Sequence, residues 1–97
     1  MGQRNAASRL AHLILEVYAR LKTIGRTEGN SFQFPVTQQI LAEAIGTSSV
    51  HLNRVAKELR ANGLLEIDRG RVGILNLDGL RKVADFDSLY LHLDPAL

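Results

Sequence analysis

The apolar positions of this chain change their spacing several times, and each change marks an element. In "RNAASRLAHLILEVYARLKTIG", Leu10, Leu13, Ile14, Val17, Tyr18 and Leu21 follow the i, i+3, i+4, i+7 spacing of a helix with one apolar face. Asn5 or Ser8 suits its start, and Gly25 falls just past its end. "RTEGNS" has loop composition. "SFQFP" then alternates, with Phe32 and Phe34 on one side and Pro35 ending the run, which predicts a short edge strand.

From Thr37 the spacing is helical again. Thr37 is the expected N-cap of "QQILAEAI", and Ile40, Leu41, Ala44 and Ile45 are its expected buried side. Gly46 marks a sharp turn, where glycine takes the left-handed conformation at little cost. Thr47 or Ser48 caps a second helix that runs to about Ala61 and is closed by Gly63. In "LLEIDRGRVGILNL", Leu65 and Ile67 alternate before a Gly-containing turn, and Val72 and Ile74 after it, which predicts a hairpin. "DGLRKVADF" reads as a last short helix, and "DSLYLHLDPAL" as a partly apolar tail. The expected organisation is one domain over 1–97, with an opening helix in 1–25, a helix-turn-helix in 37–62, a wing hairpin in 64–77, and a C-terminal helix and tail in 78–97. The fold class is mainly α with a small antiparallel β-sheet, a winged helix-turn-helix. Ala42 is small enough to let the two central helices cross closely, and Ile45, Leu52 and Val55 are the contacts expected to lock that crossing.

The second helix of the pair carries the functional signal. At about 100° per residue, Leu52, Val55, Ala56 and Leu59 gather on one side. Val50, Arg54, Lys57 and Ala61 gather opposite them, with Ser49 and Asn53 on one flank and His51 and Glu58 on the other. Val50 therefore does not belong to the buried stripe. An outward valine at the start of a recognition helix suits contact with a thymine methyl in the major groove, and Arg54 suits guanine O6/N7 or a phosphate. Asn53 and Ser49 have the donors and acceptors for base edges or backbone, and His51 is a further candidate contact. Ser48, at the helix start, sits where free N–H groups can donate to a phosphate. Thr37 and Gln38 occupy the same position on the first helix of the pair, and Lys57 and Arg60 are placed to reach the backbone from the far end of the second. Arg69 and Arg71 flank Gly70 at the expected wing tip, with Glu66 and Asp68 close enough in sequence to neutralise them. A wing arginine contacts phosphates or enters the minor groove. The bland alternatives are an exposed valine of no consequence and an exposed turn that is merely basic.

Composition narrows the field. At 97 residues there is room for one modest core. Cysteine is absent, which leaves no disulfide frame and no thiolate metal site, and suits a reducing cytoplasm. No apolar run approaches a membrane span. The net charge is +2, but the first thirty residues carry five basic and two acidic side chains, while the stretch from Asp78 carries two and four. That asymmetry permits an anionic partner. His12, His51 and His92 are scattered without metal-ligand spacing, Ser48 and Ser49 sit in no nucleophile elbow, and the glycines mark turns rather than a phosphate loop. No enzyme is expected.

The run "FPVTQQILAEAIGTSSVHLNRVAKELRANGLLEIDRGRVGILNLDGL" resembles the C-terminal DNA-binding domain of the Crp–Fnr (cyclic-AMP receptor protein-like) transcription regulators. "IGTSSVHLNRVAKELRANGLL" is the most specific part of the resemblance. "RLAHLILEVYARL" is similar to the helix that opens that domain, and "LRKVADFDSLYLHL" to the C-terminal end of some members, which puts the terminus near Leu97. The resemblance implies a bacterial, cytoplasmic, sequence-specific binder of double-stranded DNA. In the full-length protein it implies a homodimer, with RNA polymerase as a further partner and no membrane. It implies no cofactor in this chain: a cyclic nucleotide or other effector belongs to an N-terminal sensor that is absent here, as is the family's dimerisation helix. The chain is then an excised domain or a natural short relative. By similarity Ser49, Val50 and Arg54 fall on base-reading positions. Well-known members place Arg and Glu where this chain has Ser49 and Val50, so the resemblance carries over the binding mode and not the target sequence. The alternative function is a winged-helix protein–protein adaptor without sequence-specific DNA binding, with Tyr90 and Leu91 in its contact surface.

Overall fold

The computed structural model describes residues 5–88. The expectations for the tail from Leu89 onward, Tyr90 and Leu91 included, lie outside the described residues. The order of elements is α1 (Ala6–Thr23), β1 (Thr27–Glu28), β2 (Ser31–Gln33), α2 (Gln38–Ile45), α3 (Ser49–Ala61), β3 (Leu65–Asp68), β4 (Arg71–Ile74) and α4 (Leu77–Ser88). The four strands form one antiparallel sheet in the order β1-β2-β4-β3. This is a mainly helical winged helix-turn-helix.

α1 is the spine. Leu10, Ile14 and Tyr18 are buried along its apolar face, while Leu13, Val17 and Leu21 are partly covered. Asn5 is its cap, accepting the Ser8 amide at 2.7 Å. Ser8, the other capping candidate, is instead buried, and its hydroxyl donates to the Ala84 carbonyl at 3.1 Å, joining α1 to α4. At the sheet end, Tyr18 lies 6.1 Å from Phe32 between ring centroids and donates its hydroxyl to Asn30 at 2.9 Å.

Two expectations are corrected here. The "SFQFP" strand is not an edge: β2 pairs β1 on one side and β4 on the other. Alternation reports that one face is buried, not how many neighbours the strand has. The missing neighbour, β1, comes from the segment read as loop, where Gly29-Asn30 is a two-residue turn between the paired Glu28 and Ser31. On α2, the buried side chains are Leu41, Ala42 and Ile45; Ile40 is 53% exposed and Ala44 is exposed as well. An eight-residue helix buries a narrow stripe, and this one is centred on the side that meets α3.

Candidate nucleic-acid interface

The turn between α2 and α3 sets the geometry of the pair. Thr37 caps α2 by accepting the Ile40 amide at 3.1 Å, and Ser48 caps α3 by accepting the His51 amide at 3.1 Å. Between them, Gly46 has φ 77°, and the chain closes α2 with Gly46 N–H to Glu43 O at 3.2 Å and Thr47 N–H to Ala42 O at 2.9 Å. That pair of bonds is a Schellman motif, which needs the left-handed residue glycine supplies. α2 has no basic residue in its own last turn, and Arg9 of α1 supplies one: its Nε donates to the Ile45 carbonyl at 2.6 Å. A cation there satisfies an otherwise orphaned carbonyl and complements the helix dipole. Arg9 holds the turn from below, a role its place in a basic N-terminal segment did not suggest.

α3 stands on Leu52, Val55 and Leu59, all buried, with Ala56 half-buried beside them. Opposite, Val50 is 71% exposed, and Arg54 and Lys57 follow it along one exposed stripe. Ser49, His51 and Asn53 are exposed on its flanks. Among the described residues, the side chains of Ser49, Asn53, Arg54 and Lys57 make no hydrogen bond or ion pair within the chain. The first turn of α3 offers the Ser49 and Val50 amides, since Ser48 Oγ takes the His51 amide and Ser48 O takes that of Leu52 at 2.8 Å. The exposed start of α2, at Thr37 and Gln38, offers the Gln38 and Gln39 amides in the same way.

The wing differs from its expected form. Asp68 pairs with Arg71 across the end of the β3–β4 ladder, so the tip is Arg69-Gly70 alone. Both tip residues have positive φ, 50° and 79°, the signature of the two-residue turn whose twist matches a hairpin. Arg69 is the non-glycine residue held there. Arg71 lies in β4, not at the tip. Its guanidinium crosses the sheet's outer face to an ion pair with Glu28 and a 3.2 Å hydrogen bond to Ser31 Oγ. Glu66, expected to neutralise the tip, pairs with Arg60 of α3 at 3.5 Å, which commits Arg60 as well. The tip is tied down: Gly70 O accepts the Phe34 amide at 2.7 Å, three residues before the Thr37 cap. The wing tip and the start of α2 are therefore held on adjoining backbone. Around this surface Arg54, Lys57 and Arg69 are cations without a partner among the described residues, whereas Arg9, Arg60 and Arg71 are engaged.

No group of three or more His, Asp or Glu side chains among the described residues is placed to hold a metal, and none of the described helices is long and apolar enough to cross a membrane.

Residues 8–83 match the family profile described as the Crp-like helix-turn-helix domain. No curated protein sequence matches the chain significantly. Among solved structures, CprK (C200S) complexed with OCPA superposes with a TM-score of 0.65 at 22% identity, over 82% of this chain and 38% of that one. A regulator of the crp/fnr family from Eubacterium rectale superposes with a TM-score of 0.64 at 21% identity, over 84% of this chain and 34% of that one. The chain thus spans little more than a third of the length of these structures.

Proposed function

The chain belongs to the Crp-like helix-turn-helix domain family, a family of DNA-binding transcription regulation, and from that premise we propose that α3 enters the major groove of double-stranded DNA and reads sequence there. One observation carries the reading. α3 buries Leu52, Val55 and Leu59, and among the described residues the opposite stripe of Val50, Arg54 and Lys57 is exposed and its two cations have no partner. In this account Arg54 contacts guanine or a phosphate, and Asn53 and Ser49 reach base edges or backbone. His51 lies at the margin of the contact. The amides at the starts of α2 and α3, beside Thr37, Gln38 and Ser48, meet the phosphate backbone. Arg69 reaches the backbone or minor groove from the wing, while Arg71 braces the wing through Glu28. The chain performs no chemistry and needs no cofactor of its own. Homodimerisation, an effector such as a cyclic nucleotide, and contact with RNA polymerase belong to the longer protein this reading implies.

Anisotropy titration of a labelled duplex against the chain at about 50 and 200 mM salt tests the proposal. Binding to phosphates weakens linearly in log K against log salt. Weakening of that kind, with duplex preferred over single strand, supports it. No binding at the lower salt overturns it in favour of the protein-adaptor reading.

A further inference from the structure

The Val50 side chain stands apart from the other candidate side-chain contacts on α3 because, unlike its backbone amide, it has nothing to offer a phosphate or a hydrogen-bonding base edge. It is 71% exposed, it lies in line with Arg54 and Lys57, and it follows the Ser48 cap by two positions. Leu52, Val55 and Leu59, the buried side chains of α3, point the other way, and Val50 is not part of the core cluster of the described residues. A β-branched side chain in a helix keeps essentially one χ1 rotamer. Its two methyls therefore project in a fixed direction, and little freedom is lost when they are covered. The major groove displays one apolar group, the C5-methyl of thymine.

We infer that Val50 selects a 5-methylated pyrimidine, so that the chain distinguishes thymine from uracil at one position of its half-site. The inference rests on the proposed groove-reading mode of α3 and names the chemistry of one base within it. The neighbouring contacts are polar and act through other atoms. Arg54 and Asn53 reach N7, O6 or N6, none of which changes between thymine and uracil. The methyl alone separates the two bases, and Val50 is the apolar side chain on the exposed stripe beside these polar residues.

The test uses the 97-residue chain and a half-site enriched from a randomised duplex. Each thymine of the site is replaced in turn by uracil, and affinity is measured at constant salt. One replacement should weaken binding about fourfold, the factor that corresponds to burying one methyl group. In Val50→Ala, thymine and uracil at that position should bind alike, while replacements that affect the Arg54 position keep their effect. Val50→Ala trims a side chain that is 71% exposed and outside the core, and a melting temperature that is not lowered confirms that the fold is intact. A half-site tolerant of uracil at every position overturns the inference and leaves sequence reading standing. So does a Val50→Ala variant that still discriminates the two bases. Failure to enrich any half-site overturns both this inference and the reading beneath it.

Discussion

Ser48, the cap of α3, and Arg54, six residues further on, answer to different physics. The Ser48 oxygen accepts the His51 amide, so Ser48→Ala removes a cap and should lower stability by about 1 kcal/mol in a denaturant titration. The exposed Arg54 side chain makes no hydrogen bond or ion pair among the described residues. Arg54→Ala should leave stability unchanged and cost about 1–3 kcal/mol of affinity on the preferred site if it reads guanine. An equal loss on scrambled duplex would make it a phosphate contact instead. The wheel identified Val50 as outward, because Leu52, Val55, Ala56 and Leu59 together fix the buried direction of α3. The same logic misplaced Ile40: eight residues with several apolar positions leave two directions open, and only the crossing with α3 decides between them. Residue periodicity settles orientation on long helices and leaves it open on short ones.

At the scale of elements, the caps and turns were the most legible features. Thr37, Ser48 and Gly46 act as their residue types imply, since each is fixed by bonds to backbone within four residues. Gly46→Ala should destabilise by about 1–2 kcal/mol, the cost of a left-handed non-glycine residue. No atom lies within 4 Å of the added Cβ, so the loss would come from backbone strain alone, and a thermal melt measures it. The wing was legible as a hairpin but not in its details. Arg69 and Arg71 look equivalent around Gly70 in the sequence; the register puts one at the tip and the other in a strand with Glu28 as its partner. They should therefore separate in experiment. Arg69→Gly should reduce the slope of log K against log salt by about one, as expected for one lost phosphate contact, without lowering the melting temperature. Arg71→Ala should leave that slope nearly unchanged. Equal slopes for wild type and Arg69→Gly would remove the wing from the interface.

For the whole molecule, the bonds that join distant segments were the illegible part. Arg9 reaches the end of α2, Ser8 reaches α4, and the Gly70 carbonyl fastens the wing to Phe34 in the segment between β2 and α2. Each spans more than thirty residues and leaves no local pattern. Together they make α1, the helix pair and the wing one support for α3. That support presents a small surface around which three cations lack a partner among the described residues, so a single copy should bind duplex weakly, with Kd on the order of 10⁻⁴–10⁻⁶ M at physiological salt. Two copies on half-sites about 34 Å apart should bind much more tightly, as two modules on one face of the duplex do. Joining two chains by a flexible linker and varying the half-site spacing measures this directly, with the gain lost when the spacing is half a turn out.

The central claim is that the exposed stripe of α3 reads DNA sequence, and salt-titrated selection from a randomised duplex pool tests it most directly. The account predicts an enriched half-site whose enrichment is lost at particular positions in Arg54→Ala while the salt dependence of binding persists. A pool recovered without any sequence preference, or a chain that binds no duplex at low salt, would contradict it.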